Sequence, residues 1–259
     1  MHVDLSEVRA SREAAAYDEG QVSETCQRWI MRVPHVIGCH NTVLGEQRFQ
    51  RLLGERASGA RAMEVGCGTG VTASKLSSLG ASSVYAFDVS HRQIEQARAE
   101  FGDLAGVTFA VQDADAPMAG QFDLIVGRSI LHHVDFRSIL PRLFEENLAP
   151  GGRMLFMEPM SHPLTLAFHR FVRGAHTPDE WPITPADVAW LRERFAARVM
   201  PINLLSFPAG AFSSFVFSSA DNPLTRLADS IDGRLERRRR LMARGRQGIV
   251  VVDRPPVRP

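Results

Sequence analysis

The chain has 259 residues, of which 44% are hydrophobic, and its 30 basic and 29 acidic residues give a formal net charge of +1. A chain of this length and composition can bury a large core, and α/β domains of this size commonly form one unit. The near-neutral balance excludes a global field that would attract nucleic acid or an anionic membrane.

Cysteine usage and hydropathy indicate the cellular compartment in which we expect this protein. The three cysteines make an odd count without metal-type spacing, which argues against a disulfide framework and for a reducing environment. The first residues lack a charged start followed by an apolar core, so we expect no secretory signal. No window approaches the ~20 apolar residues that a membrane-spanning helix needs. We therefore expect a soluble, cytoplasmic protein.

Three zones follow one another along the chain, and we expect them to form one domain. Residues 1–60 are helix-prone and contain no strand-like run, which predicts a helical cap. Residues 61–158 alternate strands with amphipathic helices, the pattern of a parallel sheet with helices on both faces. The predicted elements of residues 159–259 are a helix at 185–195, a strand near 199–205, a phenylalanine-rich stretch, a basic helix running through 237–240 and a last strand at 249–252.

The central zone divides into five strands and three helices. After a first strand that ends near residue 65, the predicted strands are 83–88, 107–112, 122–127 and 153–157, and the predicted helices are 71–79, 91–100 and 136–148. The sequence Pro150-Gly151-Gly152 predicts a turn before the fifth strand, because proline and glycine favour turn conformations.

A glycine-rich turn, MEVGCGTG at residues 63–70, lies between the first strand and the first helix of the central zone. Gly66, Gly68 and Gly70 form a G-x-G-x-G pattern, whereas a dinucleotide site needs G-x-G-x-x-G to receive a pyrophosphate. Glu64 beside this turn repels a pyrophosphate and attracts an amino group. The pattern therefore indicates a nucleoside cofactor without phosphate and with an amino-acid tail.

Acidic residues follow the next two strands at the points where a nucleoside needs them. Asp88 ends the second strand, about 20 residues after the glycines, which is where α/β nucleotide folds place a ribose-binding acid. Asp113 follows the third strand and is placed to accept the adenine amine. Ligands of open parallel sheets collect at these strand ends, so we expect the two acids and the glycine turn to meet one molecule.

The stretches EVGCGTG, YAFDVS, VQDADAP, FDLIVGRSILHHV and LAPGGRMLFMEP resemble the class I S-adenosylmethionine-dependent methyltransferases. The resemblance covers residues 62–158 and implies an α/β fold with a seven-stranded, mostly parallel sheet, a reversed last strand, a helical N-terminal cap and a C-terminal insertion. It implies S-adenosylmethionine as the cofactor, residues 61–158 as its binding core, and residues 159–259 as the source of acceptor-pocket elements and closing strands.

The resemblance also implies a role for each residue along the cofactor. The glycines lie along the methionine portion of the cofactor, and the acids bind its ammonium, its ribose and its adenine amine. Val89 packs on the adenine, the Ala114 amide faces a ring nitrogen, and the Arg128 carbonyl holds the methionine ammonium. Tyr17 closes over the cofactor, although packing of the cap onto the core explains it equally well. The implied cofactor-binding residues are Tyr17, Glu64, Gly66, Gly68, Asp88, Val89, Asp113, Ala114 and Arg128. Asp115 is read as a solvated loop acid.

Three residues at strand ends are candidates for the base that an alcohol acceptor requires. His132 and His133 follow the fourth strand, and Glu158 ends the fifth. Successive residues of a helix point about 100° apart, so the two histidines should face different ways, and we favour His133 toward the cofactor. The alternatives are hydrogen-bonding or packing roles for the histidines and a pocket-shaping role for Glu158.

Aromatic residues and histidines outside the core are candidates for the acceptor pocket. The segment 160–181, with its E-P-x-x-H-P start and T-P-D-E-x-P end, resembles a subset of small-molecule methyltransferases. The candidate substrate-binding residues are Trp29, His162, His169, Phe207 and Phe212. Core packing for the phenylalanines and helix capping or backbone binding for the histidines stay open. The seven-residue histidine spacing does not indicate a metal site, so we expect none.

These observations favour a methyltransferase for a small, largely apolar metabolite, with O-methylation ahead of C- or N-methylation and natural-product tailoring as the setting. The alternative is a protein of this fold that uses bound cofactor for a cyclisation or isomerisation without methyl transfer. A nicotinamide-dependent oxidoreductase is disfavoured by Glu64 and the short glycine spacing. The expected partner is a small-molecule substrate, with no nucleic acid and no membrane, and a homo-oligomer is compatible with the sequence.

Overall fold

A computed structural model describes residues 5–116, 118–172, 176–177, 179–236 and 238–256. Within these residues a seven-stranded sheet has the order β3-β2-β1-β4-β5-β7-β6. The strands are β1 Arg61–Val65, β2 Ser83–Asp88, β3 Val107–Val111, β4 Phe122–Arg128, β5 Leu148–Pro159, β6 Arg198–Ile202 and β7 Gln247–Asp253. Strands β1 to β5 pair in parallel, whereas β7 runs antiparallel between β5 and β6. The predicted α/β class and the reversed last strand are confirmed.

Helices surround the sheet and form the N-terminal region. They are α1 Leu5–Glu19, α2 Gln21–Ile30, α3 His35–Gly38, α4 His40–Ala57, α5 Val71–Ser78, α6 His91–Phe101, α7 Phe136–Arg142, α8 Pro163–Phe171, α9 Pro185–Phe195, α10 Ser206–Val216, α11 Pro223–Leu235 and α12 Arg239–Met242. A 3-10 turn at Leu131–His133 follows β4, and a π turn at Leu143–Asn147 follows α7. Among the described helices, none has the length and apolarity that crossing a membrane requires.

The core lies on both faces of the sheet because neighbouring residues of a buried parallel strand point to opposite sides. In β1, Met63 and Val65 pack into one apolar cluster and Ala62 into the other. Helix α4 belongs to the second cluster, where Phe49, Leu53 and Ala57 are fully buried at the four-residue spacing of one helix face. The last N-terminal helix is therefore part of the core on one face of the sheet.

Two predicted boundaries differ from the structure. Strand β5 begins at Leu148, before the predicted turn, and its pairing with β4 shifts register between Phe122 and Leu124. The predicted turn residues 150–152 form an irregular stretch inside the strand, with Gly151 in a left-handed conformation. The helix predicted at 136–148 changes to a π turn after Arg142.

The predicted basic helix is not continuous among the described residues. Helix α11 ends at Leu235 and α12 begins at Arg239, while Arg237 lies outside the described residues. Like charges four residues apart, as at Arg234 and Arg238, disfavour an unbroken helix through this run.

Candidate functional site

A cavity of about 250 Å³ opens at the carboxyl ends of the parallel strands. It contains most of the residues that the sequence pattern assigned to the cofactor. Those that line it are Tyr17, Gly66, Gly68, Asp88, Val89, Asp113, Ala114 and Arg128. Strand ends from β1 to β4 meet here because the order of the sheet places β1 between β2 and β4. The predicted residues therefore share one crevice.

The glycine turn owes its sequence to two different requirements. Gly66 and Gly68 both have positive φ, at 66° and 52°, which side-chain-bearing residues rarely adopt. A Cβ on Gly66 would lie 2.6 Å from Ile130 Cδ1, so packing also excludes a side chain there. A Cβ on Gly68 would meet nothing closer than Gln93 Oε1 at 3.7 Å, so it would project into unfilled space beside the cavity. Gly68 thus keeps open a backbone surface that a ligand can approach.

Asp88 joins the glycine turn to the second strand. Its Oδ2 accepts the Gly68 amide at 2.9 Å, and its Oδ1 accepts the Ser90 amide at 3.0 Å. Burial raises the pKa of Asp88, and these amide hydrogen bonds oppose that rise. Each carboxylate oxygen can accept a second hydrogen bond, which suits a pair of ribose hydroxyls. Ser90 caps α6 by accepting the Gln93 amide.

Asp113 and Asp115 behave differently. Asp113 lines the cavity and its Oδ1 accepts the Asp115 amide at 3.0 Å. The Asp115 carboxylate forms a half-buried ion pair with Arg9 of α1. The prediction that Asp115 is a solvated loop acid is wrong, because a helix distant in sequence supplies the cation that it needs.

Glu64 lies behind the glycine turn and does not line the cavity itself. It is fully buried, and this burial raises its pKa to about 8. Its Oε2 has no hydrogen-bond partner among the described residues. A buried acceptor without a partner is costly, and an ammonium group or an ordered water reaching it from the cavity would remove that cost. The site therefore fits a cofactor with an amino-acid tail.

Arg128 lines the cavity, while its guanidinium pairs with a residue outside the cavity wall. Its two terminal nitrogens lie 2.8 Å from the two carboxylate oxygens of Glu46 on α4, and its guanidinium covers the Phe49 ring at 5.0 Å. The side chain is thereby held by other contacts, and the role of the Arg128 carbonyl stays a prediction. Ser129 follows in a left-handed conformation, which is uncommon for a residue with a side chain and often marks a functional site.

The two adjacent histidines have different surroundings although their ring centroids are 4.1 Å apart. His133 lines the cavity, with Nε2 3.2 Å from the Tyr17 hydroxyl and Nδ1 3.1 Å from Glu13 Oε2. His132 does not line the cavity, and its Nδ1 lies 2.8 Å from Glu158 Oε2. The favoured orientation of His133 agrees with this placement, whereas His132 and Glu158 bind each other behind the wall.

Charge and burial set the protonation of this region. Burial alone would lower the pKa of His132, but the carboxylates of Glu158 and Glu180 raise it to about 9. Burial, together with Glu180 and Glu13, raises the pKa of Tyr17, so its phenol stays a neutral donor. The cavity wall near His133 is therefore rich in fixed, buried charge.

The predicted substrate-binding residues do not line the cavity. His162 caps α8 by accepting the Leu164 amide, and its Nε2 is 3.0 Å from the Leu204 carbonyl oxygen. Phe207 packs edge-on against His162, and Trp29 packs edge-on against Phe168. Capping and packing, the alternatives that the sequence left open, describe His162 and Phe207, while Trp29 is partly exposed and packs on Phe168 outside the cavity.

The other two candidates, His169 and Phe212, also lie outside the cavity. His169 Nε2 is 3.6 Å from Glu180 Oε1 and its ring stacks on His176. Phe212 is 61% exposed on α10, and Phe215 on the same helix is also exposed. These phenylalanines are not core residues, because α10 turns this part of its apolar sequence outward.

Helix α1 supplies cavity residues that the sequence reasoning missed. Arg9, Ala10 and Glu13 line the cavity together with the predicted Tyr17. Residues 9, 13 and 17 are spaced four apart and so share one helix face. That spacing around Tyr17 was the signal that could have identified Arg9 and Glu13.

A parallel sheet with this strand order, a glycine turn after β1 and acids after β2 and β3 define a nucleoside-binding α/β protein. A family model described as a methyltransferase domain matches residues 41–199, which is more than half of the chain. The chain therefore belongs to this family of enzymes, the class I S-adenosylmethionine-dependent methyltransferases.

Similar proteins agree with this family. The chain is 30% identical over 150 residues to the ubiquinone biosynthesis O-methyltransferase of Xanthomonas axonopodis pv. citri (strain 306), a match that covers 52% of this chain and 62% of that protein. It thus spans less than two thirds of that relative's length. An S-adenosylmethionine-dependent methyltransferase structure from Mesorhizobium loti matches with a TM-score of 0.55 and 20% identity, over 79% of this chain and 95% of that one. The structure of the cyclase SpnF matches with a TM-score of 0.51 and 21% identity, over 81% and 80%. The structural matches show the fold.

Proposed function

We propose that this protein transfers a methyl group from S-adenosylmethionine to a small, largely apolar metabolite, with oxygen as the favoured acceptor atom and carbon or nitrogen as alternatives. The observation that carries the proposal is the convergence of the glycine turn, Asp88 and Asp113 on one cavity. The glycine spacing does not match a phosphate-binding pattern. The buried carboxyl group of Glu64 lies behind the turn and has one oxygen without a hydrogen-bond partner among the described residues. This set of groups matches an adenosine joined to an amino acid.

Each end of the cavity has its own binding task in this proposal. Asp88 holds the ribose hydroxyls, Asp113 and the Ala114 amide hold the adenine edge, and Val89 packs on its face. The amino-acid tail lies along Gly66 and Gly68, where Glu64 and the Arg128 carbonyl attract its ammonium.

The acceptor end of the cavity is the part formed by Tyr17, Glu13 and His133. When bound, S-adenosylmethionine supplies an electrophilic methyl group on a positively charged sulfur. The chain holds the acceptor in line with that group, excludes water with α1, and takes up the acceptor proton at His133. The aromatic face of Tyr17 also attracts a nearby cation by about 0.5 to 2 kcal/mol.

The choice of oxygen draws on the relative as well as on chemistry. The curated relative from Xanthomonas is named an O-methyltransferase of ubiquinone biosynthesis. A hydroxyl acceptor must lose a proton during transfer, and a histidine in the cavity wall suits that need. We therefore place small-molecule O-methylation first, in a biosynthetic pathway.

The deciding experiment is binding of S-adenosylhomocysteine, measured by calorimetry on the wild type and on Asp88→Ala. We expect micromolar binding by the wild type and a loss of about a hundredfold in the variant, because two ribose hydrogen bonds to a buried carboxylate disappear. Asp103→Ala, an exposed aspartate after α6, serves as the matched control and should bind normally. Unchanged affinity in Asp88→Ala refutes the site assignment.

A second candidate function is a cyclisation or isomerisation without methyl transfer. The fold match to the cyclase SpnF is the observation that favours testing it. A bound sulfonium can stabilise developing negative charge without giving up its methyl group. Cofactor labelled in the methyl group separates the two: label in the product supports transfer, whereas product without label and without cofactor consumption supports the second function.

A further inference from the structure

A cluster of histidine and glutamate side chains adjoins the acceptor end of the cavity, and we call it the histidine–glutamate cluster. It contains His132, His133, Glu13, Glu158 and Glu180, which come from the 3-10 turn, α1, the end of β5 and the loop before α9. Their side chains are between 1% and 10% exposed. Charged groups this deeply buried require partners, so the cluster is a built feature of the fold.

Each carboxylate of the cluster is anchored through one oxygen. Glu158 Oε1 accepts the Ile130 amide at 3.0 Å, and Glu180 Oε2 accepts the Thr177 amide at 3.2 Å. Glu13 Oε1 accepts the Thr177 hydroxyl. In all three, the second oxygen is turned toward a histidine nitrogen, so the orientation of the donors is set before any ligand arrives.

The histidines are held through Nδ1 in the manner of metal ligands. Glu158 Oε2 is 2.8 Å from His132 Nδ1, and Glu13 Oε2 is 3.1 Å from His133 Nδ1. Histidines that bind a metal usually pair their other ring nitrogen with a carboxylate, which fixes the ring and strengthens the ligand. The described cluster contains two such pairs side by side.

The distance between His132 and Glu180 also fits two ligands of one shared ion. His132 Nε2 and Glu180 Oε1 are 3.5 Å apart, which is longer than a normal hydrogen bond between charged partners. Two ligands that each lie about 2.0 to 2.1 Å from a tetrahedral ion are about 3.4 Å apart. One donor atom from each of His132, His133 and Glu180 lies within 4.8 Å of the other two, so small side-chain shifts close the site.

The contact between His133 and Glu13 has room to rearrange when a ligand binds. His133 Nδ1 and Glu13 Oε2 both lack a properly aligned hydrogen bond among the described residues, although they lie close together. Both residues are more than nine-tenths buried.

We propose that His132, His133 and Glu180 bind one divalent transition-metal ion of the Zn²⁺ type next to the cofactor cavity. Two imidazoles and one carboxylate are a known ligand set for zinc sites that keep a fourth position open. Because His133 lines the cavity, that position faces the acceptor end and takes water or a polar group of the acceptor. Glu13 and Glu158 orient the two histidines, and the ion replaces the Tyr17 hydroxyl as the partner of His133 Nε2.

The use of the open position rests on the proposed function, whereas ion binding does not depend on it. As a ligand, His133 gives up its role as proton acceptor; the ion would instead make the acceptor hydroxyl more acidic, and the proton that the hydroxyl loses would pass to water. The two roles of His133 are exclusive, so metal dependence of methyl transfer decides between them.

The test is metal binding by the full, untagged chain after treatment with a chelator and dialysis. Titration with Zn²⁺ by calorimetry and with Co²⁺ by visible absorption should each show one ion per chain. Glu180→Gln should weaken this binding by about tenfold or more, since a carboxylate ligand becomes a neutral amide. Glu145→Gln is the matched control, because Glu145 is an exposed glutamate paired with Arg194 far from the cluster. It should bind the ion as the wild type does.

Two further measurements distinguish failure of the metal site from failure of the proposed function. X-ray absorption of the zinc-loaded wild type should show two imidazole nitrogens and at least one oxygen, a readout that does not require Glu180→Gln to fold. Less than one saturable ion per chain, equal affinity in Glu180→Gln, or a different donor set overturns the metal site. Failure of the wild type to bind S-adenosylhomocysteine contradicts the proposed function and does not affect the proposal of ion binding.

Discussion

Asp88 connects the backbone of the glycine turn with the cavity, and several site residues share this double duty. It accepts amides from Gly68 and Ser90 while its carboxylate lines the cavity. Glu158 similarly accepts the Ile130 amide while it orients His132. Because backbone amides fix these carboxylates, they are held in place before a ligand binds, which lowers the entropic cost of binding.

Replacing Gly68 by alanine should damage the cofactor site without a packing clash. The residue has φ +52° and its Cβ would project beside the cavity, so the left-handed backbone costs about 1 to 2 kcal/mol and the methyl group obstructs the ligand. We expect S-adenosylhomocysteine affinity to fall by about tenfold or more, measured by calorimetry.

Gly54→Ala is the control for this substitution. Gly54 is exposed inside α4, its Cβ meets nothing within 4 Å, and its φ is not positive. It should leave affinity unchanged and stabilise the helix by about 0.5 to 1 kcal/mol. Equal affinities for the two variants would contradict the close approach assigned to Gly68.

Glu64 should make cofactor binding depend on pH. Its pKa is raised to about 8 by burial, so in the unliganded protein at neutral pH the carboxyl group is mostly protonated. An ammonium ion attracts the carboxylate form, so binding releases a proton and affinity rises as the pH increases toward about 8. Calorimetry in buffers of different ionisation enthalpy counts that proton. In Glu64→Gln the proton release and this pH dependence should vanish, and a flat profile in the wild type would exclude the ammonium contact.

Helix α1 covers the cavity and is tied down mainly by charged groups. Arg9 pairs with Asp115, and the Asp18 carboxylate accepts the Ser90 hydroxyl at 2.5 Å and the Arg92 amide at 3.0 Å. Asp18 therefore fastens the end of α1 to the start of α6, the helix that follows Asp88. Because charged groups hold this contact and apolar side chains contribute little to it, we expect α1 to open more readily than the sheet does.

Asp18→Ala should loosen α1 selectively. The loss of two hydrogen bonds to a carboxylate costs about 1 to 3 kcal/mol, and it falls on a helix that contributes little to the core. Hydrogen exchange should speed up in residues 5–19 and stay unchanged in β1 and β4, while S-adenosylhomocysteine dissociates faster. Asp221→Ala, which breaks an exposed pair with Arg226, is the control. Uniformly faster exchange would mean that α1 is not an independent lid.

Burial of the cofactor couples the site to the stability of the fold. The cavity is built from β1, β2, β3, β4 and α1, so a ligand bound there binds only the folded chain. At a hundredfold excess over its Kd, S-adenosylhomocysteine should stabilise the fold by about 2.7 kcal/mol. For a chain of this size that raises Tm by about 5 to 10 °C, measured by thermal unfolding. The shift should disappear in Asp88→Ala, and a shift retained there would place the ligand elsewhere.

Local patterns were sufficient for the central sheet, the glycine turn and the acids Asp88 and Asp113. These residues stand at the ends of strands, and parallel strands bring their ends together whatever the remainder of the chain does. Asp88 and Asp113 could therefore be assigned from hydrophobic runs and the residue that follows each. The reversed last strand came from the family resemblance, because two separated apolar runs carry no information about direction.

The acceptor side of the cavity could not be worked out in the same way. Glu13, His133 and Glu180 are far apart in sequence, with no shared period, and only packing of α1 and the loop before α9 against the 3-10 turn brings them together. The outward direction of Phe212 likewise depends on which face of α10 finds a neighbour. Chain-local signals specify strands, turns and the groups that end them, whereas contacts between distant segments depend on how those elements pack.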